Sequence, residues 1–503
     1  MMEKRPAALS HGGEPLAADK GAFRPSPRQG TAPSSDCSKG CVLTGHRPGK
    51  NGGYRMDETP RVLVAGAGLA GCEAAWALAE EGIPVRLADC KPGRMSPAHR
   101  SPNFGELVCS NSLKAARLDS AAGLLKEEMR RLGSLCMAVA AECAVPAGGA
   151  LAVDRERFSA EITRRLRAHP LIRVEEREIT ELPREGVAVI ATGPLTLDAL
   201  AARLKEKCGG ALSFFDAAAP IVTAESVDED HAFRASRYGR EESGEGDYLN
   251  CPLNREEYEA FHAALVTAET APLHEFDRQG RVYEGCMPIE VLARRGTDAI
   301  RFGPMKPVGL RDPRTGHRPW AVLQLRAENT QGSLYNLVGF QTNQKFGEQR
   351  RVFGMIPALA RAEYARYGVM HRNTFLDSPR LLTPGYQLRE EPRLLFAGQM
   401  TGVEGYMESA ASGILAGRNA ARMVRGLPPL ILPRDTMIGA LAGYISDPGV
   451  KDFQPMGANF GILPPLPEHI RDKRLRYAAL AQRALASLEA VVGRNADISQ
   501  AEI

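Results

Sequence analysis

The chain has 503 residues, 44% hydrophobic and 25% charged, an ordinary globular composition that excludes fibrous and wholly disordered classes and has room for about three average domains. A formal net charge of +4 permits a nucleic-acid partner without arguing for one, because local clusters of charge decide that affinity. No apolar run reaches the roughly 18 residues of a membrane helix and no apolar signal core follows Met1, so the sequence predicts a cytoplasmic protein with no membrane partner.

Residues 1–55 are rich in Gly, Pro, Ser, Lys and Arg without periodic apolar positions, which predicts a disordered tail. Met56, just before the first strand, is a candidate translation start. The ten cysteines are scattered with no C-x-x-C pair. Free thiols and no metal site are expected in a reducing compartment.

Residues 60–215 read as the first part of a nucleotide-binding domain. A strand at Val62–Ala65 runs into Gly66-Ala67-Gly68-Leu69-Ala70-Gly71, a helix follows over Cys72–Glu81, and a second strand at Val85–Ala88 ends at Asp89. This is the full dinucleotide fingerprint in context. Gly66 allows the tight turn, Gly68 lets backbone approach a pyrophosphate, Gly71 permits helix–strand contact, and Asp89 would accept from ribose hydroxyls. A further apolar strand at Val187–Ile190 ends in Ala191-Thr192-Gly193-Pro194.

Residues 216–385 show short strand-like runs and turn signals without βαβ alternation, which predicts an insertion. In residues 386–503 a late strand, Leu394–Phe396, leads into Gly398 and Gln399, then Ala410-Ala411-Ser412-Gly413. That element matches the late strand and helix with which two-part flavoproteins close the isoalloxazine side, favouring FAD. Tyr477, Leu480, Ala484, Leu488 and Val491 recur at helical spacing and predict a closing amphipathic helix. The expected fold is α/β, a Rossmann-like two-part FAD-binding domain with an inserted α+β domain.

Further segments carry a resemblance: Glu106-Leu107-Val108-Cys109-Ser110-Asn111-Ser112-Leu113, the run Val145–Arg155, Tyr248-Leu249-Asn250-Cys251-Pro252, Glu284-Gly285-Cys286-Met287-Pro288-Ile289-Glu290, Arg301–Leu310 and Tyr367–Phe375. Over Arg61 to Leu466 the chain resembles the folate-dependent tRNA (uracil-5-)-methyltransferases of the TrmFO type, and Gln399 after the late glycine is the variant of tRNA-modifying flavoproteins. The related MnmG type, which modifies wobble uridines, is the alternative; its long helical C-terminal domain is missing, and its continuation differs from Met400–Ser409. Phe346 and Gly457 depart from the Trp and Asn expected in the family.

The resemblance implies methylation of C5 of uridine 54 in the T-arm of tRNA. Methylene comes from 5,10-methylenetetrahydrofolate, hydride from reduced FAD, and NADPH or NADH restores the flavin. C5 of uracil is a poor nucleophile until a thiolate adds at C6. By resemblance the two functional cysteines are Cys286, assigned to C6, and Cys109, assigned to a flavin-proximal or proton-transfer role. Cys251 has no assigned role.

Lys306, between Pro304 and Pro307, suits an anionic ligand, and His371 and Arg372 suit folate glutamate, tRNA phosphate or flavin. Arg314 and Arg318, with Arg311 and His317, form a cluster able to track tRNA phosphates, as do Lys345, Arg350 and Arg351 and the run Arg471–Arg476. The oligomeric state is left open.

Overall fold

The computed structural model of the protein describes residues 62–501 except 97, 210–211, 240–245, 272–280, 283–286 and 451–452. The predicted tail, Met56 and Cys286 lie outside the described residues.

Short runs of apolar residues made the early strands legible, and they pair as expected. A five-stranded parallel sheet has the order Leu394–Phe396, Ala188–Ile190, Val62–Ala65, Val85–Asp89, Ile172–Glu176. Val64, Leu87, Val189 and Leu395 are fully buried, as strands covered on both faces must be. Ile172–Glu176, which alternates apolar and charged residues, carries no such signal and occupies the edge.

The nucleotide helix runs Leu69–Glu80, starting earlier than the expected Cys72. Gly68 is its N-cap, so the last part of the glycine motif is already helical and its first amide groups face the loop. Nearly every residue of this Ala-rich helix is buried, because the helix Tyr406–Val424 lies across it. Small residues make that contact. A Cβ at Gly413 would lie 2.1 Å from the Ala70 carbonyl oxygen, and one at Gly417 would lie 2.6 Å from that of Ala74. The chain's late segment is thereby clamped onto its first helix.

The middle segment forms mainly a six-stranded antiparallel sheet, in the order Phe233–Arg234, Leu249–Leu253, Ala321–Ala327, Leu334–Leu337, Ile221–Thr223, Tyr364–Arg366. A separate apolar core lies beneath it, in which Phe340 makes ring contact with both Phe261 and Phe353. A smaller sheet pairs Leu212–Ala217 with Met370–Phe375. The mixed architecture, a parallel dinucleotide sheet plus a largely antiparallel one, is the α/β class expected. The final helix spans Lys473–Ala501, with Leu480, Ala484 and Leu488 buried as their spacing predicts.

Gly413→Ala should therefore overpack the helix contact and cost about 1–3 kcal/mol. Gly347→Ala, at an exposed position of the helix Phe346–Phe353 where a Cβ meets nothing within 4 Å, should be neutral or stabilising by about 0.5–1 kcal/mol. Urea unfolding of the two variants checks the difference; equal stabilities would contradict the clamp.

Candidate active site

The fingerprint loop is kept open by residues that carry no side chain. Gly66 sits at φ +97°, and a Cβ there would lie 2.5 Å from the Ala191 carbonyl oxygen. That position is closed to other residues by conformation and space alike. Gly71 lies under the same turn, since its Cβ would be 1.8 Å from the Gly66 carbonyl oxygen. Gly68 differs: a Cβ there would meet nothing within 4 Å, and the residue lines an open cavity. The empty space over Gly68 beside the first amides of a helix is the cradle a pyrophosphate requires.

Asp89 supports this arrangement. Its carboxylate accepts from the Ala67 amide at 2.6 Å and the Lys91 amide at 2.8 Å, tying the end of the second strand to the glycine loop. Lone pairs remain for ribose hydroxyls.

The cavity, about 460 Å³, extends from Gly66, Gly68, Leu69, Ala70 and Asp89 past Thr192 and Gly193 to Gly398, Gln399, Tyr406 and Cys109. One continuous space joins the fingerprint to a cysteine. Gln399 donates its amide to Glu404 at 2.7 Å, and Gly398 donates to the Ser412 hydroxyl at 2.7 Å, which anchors the late turn to the helix behind it. Of the sequence-derived residues, Ala67 and Gly71 serve the loop without lining the cavity.

The loop bearing Cys109 is fixed from several sides. The buried Tyr406 hydroxyl accepts from the Cys109 amide at 2.6 Å and the Ser110 amide at 3.1 Å. Burial pushes the phenol's pKa far above its ordinary value, so it stays neutral. Arg155 donates to the Leu107 and Cys109 carbonyls at 2.6 and 3.4 Å and pairs with buried Glu328 at 2.7 Å. Arg326 holds Asn111 at 2.8 Å and the Ser110 hydroxyl at 2.7 Å. The Arg155 guanidinium thus holds the backbone on both sides of Val108 and next to the Cys109 side chain.

At the fingerprint end, His99 bonds Ser96 at 2.6 Å. Burial first, and then Lys91, lowers its pKa, leaving a neutral imidazole on the cavity wall. Lys91 in turn stands 3.7 Å from Glu106.

Other expectations fare differently. Lys306, Arg314 and Arg318 are exposed and do not line this cavity, and Arg314 is engaged by Asp312 at 2.7 Å and by the Asp230 carbonyl. His371 and Arg372 lie on Met370–Phe375, in register with Asp216 and Phe215. Cys251 is fully buried and its thiol pKa is pushed far up by desolvation, the signature of packing rather than reaction. Phe346 stacks on Tyr367 with centroids 4.6 Å apart, an aromatic contact it makes in place of the expected Trp. At Gly457 a Cβ would lie 3.1 Å from the Glu404 carbonyl oxygen.

Sequence reasoning missed Tyr406, Arg155, Arg326 and His99. Tyr406 and Arg155 stand in the motifs quoted, yet no local spacing announces a phenol that reaches back to residues 109 and 110.

Tyr406→Phe removes the acceptor shared by the Cys109 and Ser110 amides, and should cost about 1–3 kcal/mol. Hydrogen exchange at those two amides should quicken in the variant; unchanged protection would remove the phenol from its positioning role.

Comparison with known proteins identifies the family. The family model described as "GIDA: Glucose inhibited division protein A" matches residues 61–428. A protein of Enterococcus faecalis named methylenetetrahydrofolate–tRNA-(uracil-5-)-methyltransferase TrmFO is 56% identical over 428 residues, covering 85% of this chain and 97% of that one. The Heliobacterium modesticaldum protein of the same name is 58% identical over 435 residues, 86% of this chain and 98% of its own. Among solved structures, Aquifex aeolicus GidA in its form II crystal aligns with TM-score 0.62 at 16% identity over 89% of this chain and 77% of that one, a likeness of fold.

Proposed function

The chain belongs to the GidA family and, within it, to the TrmFO methylenetetrahydrofolate–tRNA-(uracil-5-)-methyltransferases, and from that membership we propose how its own residues carry the reaction. It is an FAD-dependent enzyme that transfers the one-carbon unit of methylenetetrahydrofolate to C5 of a uridine in tRNA. We assign the target to uridine 54 of the T-arm, the reductant to NADPH or NADH, and the location to the cytoplasm. Among the described residues no helix is long and apolar enough to cross a membrane. The domain reading is 60–215 and 386–503 for the FAD-binding parts and 216–385 for the insertion on the tRNA and folate side.

The observation that carries the assignment is the continuity of the cavity from the Gly68 cradle to Cys109. Bound FAD supplies hydride and redox chemistry at the far end. Gly68 and the amides of Leu69 and Ala70 would hold the pyrophosphate, Asp89 the ribose, and Gln399 the ribityl side. Cys286 adds its thiolate to C6 of uracil, raising electron density at C5 so that C5 attacks the activated methylene. Cys109, held in place by Tyr406 and Arg155, serves as the proton acceptor for C5. Loss of that proton breaks the bond between the methylene and its carrier nitrogen and leaves an exocyclic methylene at C5, and hydride addition to that carbon completes the methyl group as the Cys286 thiolate leaves C6.

For substrate contact we retain Lys306, Arg314, Arg318, His371 and Arg372, the first for an anionic ligand, the next two for tRNA phosphates, and the last two for folate glutamate, tRNA phosphate or flavin. The wobble-uridine alternative predicts a different modified base.

Purified protein should be yellow, and Gly68→Val should lose FAD because its side chain fills the cradle; full flavin occupancy in that variant would contradict the site. Incubating enzyme, tRNA, folate donor and NAD(P)H should give 5-methyluridine at position 54 by nucleoside analysis, and a wobble modification would favour the alternative. With 5-fluorouridine tRNA, whose fluorine cannot leave C5 as a proton, a covalent adduct should map to Cys286 and vanish in Cys286→Ala. An adduct on Cys109 or Cys251 would overturn the division of roles.

A further inference from the structure

Beside the reactive end of the cavity stands an ion pair to which the methyl-transfer scheme assigns no part. Lys114 lines the cavity and adopts φ +64°, a left-handed conformation that lysine rarely takes and that native structures concentrate at functional positions. Its ammonium bonds Glu408 Oε1 at 2.8 Å. The Glu408 side chain is 1% exposed and that of Lys114 51%, so the anchor is buried and the cation faces the cavity.

Several segments converge to make this placement. The Ala458 amide donates to the same Glu408 oxygen at 3.0 Å. Gly405 has no side chain where a Cβ would lie 2.2 Å from Glu408 Oε2 and 2.7 Å from the Lys114 ammonium. Next to Lys114 in sequence, the Leu113 carbonyl accepts from the buried Lys126 at 2.7 Å. Gly405 adjoins Tyr406, whose hydroxyl holds Cys109, so Lys114 shares the end of the cavity opposite Asp89. With pyrophosphate at Gly68 and ribose at Asp89, that end receives the ring of the dinucleotide.

We propose that Lys114, held by Glu408, is the cation that contacts the ring of bound FAD and stabilises its anionic reduced form. The proposal rests on the FAD reading above. When a nicotinamide hydride reduces the ring, two electrons and one proton arrive together. The ring keeps one negative charge unless it takes a second proton from solvent, and an adjacent ammonium removes the need for that proton.

The test is the two-electron potential of the FAD-loaded protein and its dependence on pH. Lys114→Asn removes the charge with a residue that tolerates the left-handed backbone. It should retain flavin and make the reduced form at least tenfold less stable, a potential lower by about 30 mV. Lys114→Arg should stay within threefold of the parent. Glu408→Gln, which removes the carboxylate charge from the ammonium, should shift the potential upward. Near neutral pH the parent should lose about 30 mV per pH unit, one proton per two electrons, and Lys114→Asn should approach about 59 mV per unit, two protons. An unchanged potential and slope in flavin-loaded Lys114→Asn would overturn the proposal and leave the FAD reading intact, as would shifts of the same sign in Lys114→Asn and Glu408→Gln. A parent protein that binds no flavin would overturn both.

Discussion

Everything at the site depends on how closely two helices approach. Leu69–Glu80 and Tyr406–Val424 touch through Gly413 on Ala70 and Gly417 on Ala74, with no room for a single extra carbon. The first helix carries the phosphate cradle at its start, and the second carries Tyr406 and Glu408 at its own. A helix pair at ordinary separation would move the second set outward by the width of a methyl group or more, enough to detach Tyr406 from the Cys109 amide. Dispersion and exclusion of water, acting over small side chains, thus set the distance between the cofactor end and the reactive end of one cavity.

Polar contacts then fix what packing brings near. Arg155 with Glu328, and Arg326 with Asn111 and Ser110, reach from the antiparallel sheet and its border to the Cys109 loop. Asn111 also donates to the Val153 and Ala327 carbonyls. Asn111, Arg326 and Glu328 are buried, and although one Glu328 oxygen has no hydrogen-bond partner, the bonds the others make hold the loop in one position. In the proposed scheme the cysteine needs that restraint, because a proton acceptor must stay within hydrogen-bond reach of its carbon acid.

The parts of this structure legible in sequence were those written locally. Gly66, Gly68 and Gly71, the strand before them and Asp89 after them declare a phosphate turn because each role is settled within a few residues. The late strand was legible by the same logic: an apolar run, then Gly398. What could not be read were contacts between distant segments. Tyr406 to Cys109, Lys114 to Glu408 and Arg326 to Asn111 each span more than two hundred residues, and no periodicity reports such pairings. The helix begins at Leu69 rather than the expected Cys72 because the second half of the glycine motif itself supplies the opening turn.

The order of strands bears on how the protein is made. Ala188–Ile190, wholly apolar and buried, has Leu394–Phe396 as its outer neighbour, synthesised roughly two hundred residues later. At about 5–20 residues per second the nascent chain waits roughly 10–40 s for that partner. Throughout the interval an unpaired, uncharged strand edge faces the crowded surroundings of the ribosome, open to pairing with another chain. Factors that cover such edges during synthesis therefore favour the enzyme's correct folding.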